Sequence, residues 1–183
     1  MLEGKQVTLR LFTEADVDEL HGLDADIAAR GEHFPITLHP LAEMRKQFRE
    51  TGWWQEDQGR MAIVAPDGRL VGAIVFFKPS PILVGYEIGY VVFRPEDRGH
   101  GYMSEALRIF SAYLFELRSV PRLQLGMFAG NAASRRVAEK CGYQYEGTQR
   151  QGGFLRGQYR DRETFSLLRS ECPPLVALLS DAK

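Results

Sequence analysis

The sequence predicts an α+β fold built on a mixed, mostly antiparallel sheet, and three observations carry that prediction. Apolar segments with strand character recur between Arg60 and Arg94 and again after Tyr143. Pro66-Asp67-Gly68-Arg69 is a tight-turn signal that joins two of them into a hairpin. One stretch reads as strand, glycine turn, helix and strand, and such a crossover places its two strands parallel, with a right-handed connection.

The elements follow in order. Gln6 to Leu11 alternates around Val7, Leu9 and Leu11 and reads as a strand. Thr13 with Asp16 three residues on resembles a capping box, so a helix is expected over Glu14 to Leu23. Pro35 and Pro40 keep Gly31 to Pro40 irregular. Leu41 to Thr51 is a helix with Leu41, Met44 and Phe48 on one stripe, followed by Trp53 and Trp54. Arg60 to Ala65 and Leu70 to Lys78 form the hairpin, and Leu83 to Arg94 is a long strand antiparallel to it. The helix Tyr102 to Leu117 repeats Met103, Ala106, Leu107, Phe110, Leu114 and Leu117 at helical spacing. Arg122 to Phe128 is a strand. Asn131 caps a short helix, Ala132 to Cys141, which Gly142 ends. Tyr143 to Arg150 and Glu163 to Arg169 pair around a loop, Gln151 to Arg162, and the apolar tail beyond Pro173-Pro174 is expected to dock on the body.

With 183 residues, 44% of them hydrophobic and 26% charged, the chain is expected to form a single domain over residues 1–183, with a core at about 5–170 and a tail at 171–183. A formal net charge of −1 gives no global pull toward nucleic acid or an anionic membrane, so neither is an expected partner. No apolar run has membrane-span length, and the start Met1-Leu2-Glu3-Gly4-Lys5 lacks a signal peptide's apolar stretch. Cys141 and Cys172 read as reduced thiols of a cytoplasmic protein. His21, His33, His39 and His100 show no metal-ligand spacing, and no metal is expected.

The most informative segment runs from Val91 through Gly99-His100-Gly101 into the Tyr102 helix. A helix start carries unpaired N–H groups and the positive end of the macrodipole, and glycines there let a ligand oxygen approach the backbone. The segment therefore suits a phosphate. It is not a P-loop, which needs a Lys-Ser/Thr pair after its second glycine. Ser104 stands where a dinucleotide fingerprint needs its third glycine, and the sheet around it is not a parallel series. A diphosphate held end-on by the amides of Arg98 to Met103 remains, beside the plain reading of a strand-to-helix turn.

The company of this turn resembles the GNAT superfamily of acyl-CoA-dependent N-acyltransferases, and its RimJ/RimL-like branch. Arg98-Gly99-His100-Gly101-Tyr102-Met103 is similar to the family's Q/R-x-x-G-x-G/A signature, although the first basic residue of that signature would fall at Glu96. Ser104-Glu105-Ala106-Leu107, Val7 to Thr13 with Asp16, Glu87-Ile88-Gly89-Tyr90, Asn131-Ala132-Ala133-Ser134, Glu139 to Tyr143 and Glu146-Gly147 are similar blocks in the same order. The resemblance spans the chain to about Ser170. It implies a GNAT-like sheet flanked by helices, splayed at its centre, and acetyl-CoA as cosubstrate. It implies a diphosphate cradle at Arg98, Gly99, His100, Gly101, Tyr102 and Met103, with Val91, Val92 and Phe93 offering main-chain groups to the pantetheine arm. A side chain at Gly101 would then fill the cradle.

Acyl transfer needs a neutral amine, a polarised carbonyl and a stabilised leaving thiolate. The resemblance assigns the coenzyme arm to Asn131, besides its role as an N-cap, and the departing sulfur to Ser134. Many relatives use a tyrosine one turn further on, where this chain has Ala138. The glutamate that RimL-type enzymes carry in the last loop is replaced by Gly153, before Phe154. Another branch of the family uses a glutamate on the central strand, and the resemblance puts Glu87 at the matching place as a base, set against an ion-paired strand residue, with Asp161 a second candidate and a water chain a third. The acceptor end is expected at Gly31 to Pro40 and Gln151 to Arg162, while Trp53 and Trp54 read better as a core edge. The expected activity is acetyl transfer to a primary amine, a peptide N-terminus or a small molecule, in a ternary complex, by a monomer or homodimer. The alternatives are a non-catalytic acyl-CoA sensor and transfer of a longer acyl group.

Overall fold

A computed structural model of the chain describes residues 1–80, 82 and 84–180. Eight strands form one sheet in the order β1-β2-β3-β4-β5-β6-β8-β7. These are β1 (Leu2–Glu3), β2 (Thr8–Leu11), β3 (Gln58–Val64), β4 (Leu70–Phe77), β5 (Tyr86–Val92), β6 (Arg122–Phe128), β7 (Gln144–Leu155) and β8 (Gln158–Leu168). The helices are α1 (Asp16–Ala25), α2 (Leu41–Thr51), α3 (Tyr102–Leu117) and α4 (Ala132–Lys140). Every neighbouring pair is antiparallel except β5 with β6, the parallel pair that the crossover through α3 demands.

Strand alternation feeds two cores. On one face Ile74, Phe76, Ile88, Leu123 and Leu125 meet Ala106, Leu107, Phe110 and Leu114 of α3, all fully buried or nearly so. The tail docks there as expected: Leu175, Leu178 and Leu179 pack against this core, and Ser180 N–H reaches Glu3 O at 2.7 Å. On the other face Ala62, Val64, Ala73 and Phe93 meet Val17, Leu20, Met44 and Trp53 beneath α1 and α2. Trp53 stands edge-on to Phe12 and Phe48, and Trp54 to Phe76, so both tryptophans sit at core edges.

The sequence reading missed the short strand β1 and set several bounds a residue or two off; three departures have a cause in the structure. Helix α1 starts at Asp16 rather than Glu14, because the Asp16 carboxylate turns back to accept from Thr13 N at 2.6 Å and Thr13 Oγ1 at 2.7 Å. The Arg10 guanidinium grips the same carboxylate through both nitrogens at 2.7 and 2.8 Å. The strand expected over Leu83 to Arg94 is shorter, and Leu83 itself lies outside the described residues. Its start is set by Gly85, where a Cβ would come within 2.2 Å of Arg122 O.

The third departure is the largest. The loop expected over Gln151 to Arg162 is instead the end of a long hairpin, closed by the two residues Arg156 and Gly157. Both have positive φ, 49° and 83°, the geometry whose twist suits a two-residue turn. Register shifts between Tyr145 and Gly147 and between Gln149 and Gly153 broke the alternation that would have marked the strand.

The parallel ladder is short. It joins Tyr86–Ile88 to Leu123–Leu125 and stops. β5 stays paired with β4 as far as Val92, and β6 with β8 as far as Phe128. The two central strands therefore part beyond Ile88 and Leu125, and the sheet opens into a wedge.

Candidate active site

A cleft of about 650 Å³ lies beside that wedge, between the Asp97–Ser104 segment and α4. Several contacts hold the segment. The Glu105 carboxylate accepts from the amides of Lys5, Gln6 and Val7 at 2.7–2.9 Å, pinning the first turn of α3 to the approach of β2. Buried Asp97 accepts from Arg69 Nη1 at 3.2 Å. The Arg98 amide is committed to Pro95 O at 3.1 Å. From Gly99 to Ser104 the amides have no protein acceptor among the described residues. Gly99 and Gly101 hold left-handed φ values of 83° and 86°, which bends these N–H groups into a concave array suited to an anion.

The expected cradle residues divide. Arg98, Gly99, Gly101, Tyr102 and Met103 line the cleft. His100 does not, because its Nε2 turns to Glu96 O at 3.0 Å and its ring stacks on Tyr102. Arg98 also braces the neighbouring loop by donating to Ala29 O. A Cβ on Gly101 would meet Gln6 Oε1 at 2.9 Å, so a side chain there runs into the approach of β2 rather than into the cradle. Around Gly99 there is open space. Two cations that the sequence reading missed, Arg136 and Lys140, also line the cleft. With Ala133 and Val137 they make one face of α4 at helical spacing, which is the signal that could have revealed them.

Along β5, Val91 and Val92 line the cleft and Phe93 does not. The Phe93 N–H bonds to Val71 O at 3.0 Å, and its ring is buried in the second core. With Phe93 and Val71 so bonded, antiparallel alternation turns the main-chain groups of Val92 and Tyr90 away from β4, toward the wedge.

Asn131 and Ser134 meet as the short-helix reading requires. Asn131 Oδ1 accepts from Ser134 N at 3.1 Å, and α4 begins there. Ser134 Oγ lies 2.8 Å from the phenolic oxygen of Tyr90, which also donates to Ser134 O at 3.3 Å. Burial pushes the Tyr90 hydroxyl up to about 12, so it stays a neutral donor at any ordinary pH. Ala138 is fully buried. The phenol at this site comes from β5, not from α4. Cys141 donates to Ser104 O at 3.2 Å, and burial raises its thiol to about 11, so it is a packed thiol rather than a nucleophile.

On the far side of the wedge a second cavity, about 410 Å³, shares His33, Phe34, Tyr90, Val91, Asn131 and Ser134 with the first. Its other walls come from Phe128, Gly126 and the hairpin residues Gly152, Gly153, Phe154 and Arg162. The irregular segment after Gly31 closes over both, tied to the hairpin tip by Arg156 Nη2 to Gly31 O at 2.9 Å. His33 supplies the imidazole of this junction; its Nδ1 is buried with no partner among the described residues, and its Nε2 lies 3.6 Å from Glu32 Oε1. Neither cavity is lined by Trp53 or Trp54.

Glu87 and Asp161, the two expected bases, line neither cavity. Glu87 is buried, and both its oxygens are taken: Oε1 accepts from Arg162 Nη2 and Oε2 from Gln124 Nε2, each at 2.9 Å. Its geometry is that of the ion-paired strand residue. Asp161 Oδ1 caps Gln151 N at 2.7 Å within the hairpin. Among the described residues no cluster of His, Cys, Asp or Glu could hold a metal ion, and no helix is long and apolar enough to cross a membrane.

Comparison with known proteins gives this geometry a context. The chain matches the Acetyltransferase (GNAT) domain family over residues 6–144. It is 33% identical over 175 residues to the putative ribosomal N-acetyltransferase YdaF of Bacillus subtilis, covering 92% of this chain and 94% of that protein. It is 26% identical over 179 residues to the probable N-acetyltransferase YjcK of the same organism, covering 93% and 98%. Among solved structures, spermidine N-acetyltransferase from Vibrio cholerae in complex with CoA and spermine superposes with a TM-score of 0.78 at 19% identity, over 91% of this chain and 97% of that one. That likeness concerns the fold alone. A wedge between the two parallel strands, free amides at the α3 start and a family match across most of the chain agree: this protein is an acyltransferase enzyme and belongs to the GNAT acetyltransferase family.

Proposed function

We propose that the protein transfers the acetyl group of acetyl-CoA to a primary amine by direct attack within a ternary complex. One observation carries the proposal: two cavities, one beside the free amides and one without them, meet at Ser134, Asn131, Tyr90 and Val91, where β5 and β6 part. A donor and an acceptor entering from opposite sides would react there without an enzyme-bound intermediate.

In this reading the amides from Gly99 to Met103 hold the diphosphate, and Arg98, Arg136 and Lys140 supply opposing charge. The outward main-chain groups of Tyr90 and Val92 receive the pantetheine arm as an added strand. The base role expected of Glu87 passes to His33, which borders both cavities. His33 takes a proton from the acceptor ammonium, and the freed lone pair forms the new C–N bond. As the C–S bond breaks, Ser134 donates its hydroxyl proton toward the sulfur. Tyr90 Oη and Ser134 Oγ lie 2.8 Å apart, and in the arrangement where the single phenolic proton points at Oγ, the serine proton is free to face the sulfur.

A serine at this position, with Ala138 where a tyrosine would otherwise stand, supports the RimJ/RimL-like branch, as does the name of the YdaF relative. Two free thiols at Cys141 and Cys172 support a reducing, cytoplasmic setting. Thiol release from acetyl-CoA, with butyryl-CoA as a second donor, across a panel of amines tests the proposal. Acetyl-CoA should turn over with at least one primary amine. Tight CoA binding with no turnover on any amine would sink it in favour of a sensor.

A further inference from the structure

We propose that the acceptor is a compact amino acid that bears a carboxylate beside its amine, and that Arg162 is the residue that reads the carboxylate. The inference rests on the acetyl-transfer reading and concerns the second cavity of that same site.

Three features of the cavity point this way. First, no aspartate or glutamate is among its lining residues, whereas Arg162 is. A polycation would find nothing there to pair with its further ammonium groups, and a guanidinium to repel them.

Second, the guanidinium is held in place with donors to spare. Glu87 Oε1 anchors only Nη2, at 2.9 Å, and Gln124 occupies the other Glu87 oxygen. Nε and Nη1 of Arg162 have no protein acceptor among the described residues. The carboxylate behind the guanidinium fixes it; both two-point forks of an arginine include Nη2, which carries two protons, and with Glu87 taking one, the other pairs with an unused neighbour, Nε or Nη1, to bind a planar carboxylate.

Third, the chain gives up side chains to make this room. A Cβ on Gly126 would lie 2.2 Å from Arg162 Nη2 and 2.8 Å from Glu87 Oε1. One on Gly153 would lie 2.7 Å from the Phe128 ring and 3.2 Å from Arg162 Cδ. Glycine at both places lets the guanidinium lie against the sheet. Phe34, Phe128 and Phe154 supply apolar walls, and a volume of about 410 Å³ suits a molecule of amino-acid size. Glu87, in this arrangement, is a positioning residue that acts through Arg162.

The test uses the full chain with acetyl-CoA and reads thiol release on matched pairs, the common L-amino acids against their own carboxamides, with phenethylamine and spermidine alongside. At least one amino acid should exceed its amide by about tenfold or more in kcat/KM, and spermidine should be poorer than that amino acid. If no pair favours the acid, including the case in which no amino acid is acetylated, or if spermidine is preferred, the inference is overturned. Turnover of any other amine would then leave the acetyl-transfer reading standing, whereas silence with every amine would remove both. Arg162→Gln combined with Glu87→Gln leaves no unpaired buried charge. That variant should abolish the preference for acid over amide while the thermal shift on adding CoA stays unchanged. Arg162→Lys keeps the charge without the fork and should lose most of the preference. A preference that survives both variants would contradict the assignment to Arg162.

Discussion

Ser134 is fixed from two sides, by Asn131 at its amide and by Tyr90 at its hydroxyl. Removing the hydroxyl should therefore cost rate and little binding. Ser134→Ala is expected to lower kcat about 10²-fold with CoA affinity nearly unchanged, checked by steady-state kinetics beside CoA titration. An unaltered kcat would remove the serine from the chemistry. Glu87 gives the opposite expectation. Both its oxygens are spent on Arg162 and Gln124, and it lines neither cavity. Glu87→Gln should cost about 2 kcal/mol in urea unfolding, since a charge-assisted bond becomes a neutral one. Its profile of log kcat/KM against pH should keep its acidic limb at the parent's pH, even where a looser hold on Arg162 lowers the whole curve. A displaced acidic limb would return the base role to Glu87.

The elements make the site by where they stop. β5 and β6 leave each other after three ladder pairs, and α3 and α4 both begin at the resulting opening. Main-chain amides at the α3 start can be challenged without touching the core. Gly99 faces open space with a left-handed φ that Asp tolerates better than most residues. Gly99→Asp should place a carboxylate beside the cradle and weaken CoA binding by about tenfold or more through like-charge repulsion. Isothermal titration reads the affinity, and circular dichroism should show an unchanged fold. The same change at Gly101 would strike Gln6 Oε1 and report on folding instead. Strand β7 and strand β8 were legible only in part, because their register shifts interrupt the alternation that marks a strand. Their two-residue turn is what carries Phe154 and Arg162 to the second cavity.

At the scale of the whole molecule, the sheet divides two cores, and α1 is fastened to it by the Arg10–Asp16 grip. Hydrogen bonds from Arg10 first, then from Thr13, hold the Asp16 carboxyl at about 2, well below its ordinary value. A group with a depressed folded-state pKa contributes stability that is complete above its unfolded value of about 3.9. That contribution drains away as pH falls from there toward 2. Asp16→Asn should therefore destabilise the protein by about 2 kcal/mol at pH 7. Urea unfolding of parent and variant should show the gap narrowing steadily below pH 4. A gap of constant size would mean that the carboxylate's charge is not what holds α1.

Local chemistry gave the order of the elements, the glycine turn before α3, the Asn131 cap and the short α4, because each rests on residues within one turn of each other. The same local signals explain the resemblance to GNAT proteins, which the family match over residues 6–144 bears out. What a linear reading could not reach were the partners. Nothing near Glu87 in the chain announces that Gln124 and Arg162 will consume its oxygens. Nothing near Ser134 announces a phenol from Tyr90, 44 residues away. His33 and Arg162 border the second cavity only because the segment after Gly31 folds over a hairpin from the far end of the chain. Periodicity and capping are short-range and were readable in the sequence. Which side chains share a cavity, and which charges are already paired, depends on long-range packing, and the tertiary structure alone decided it.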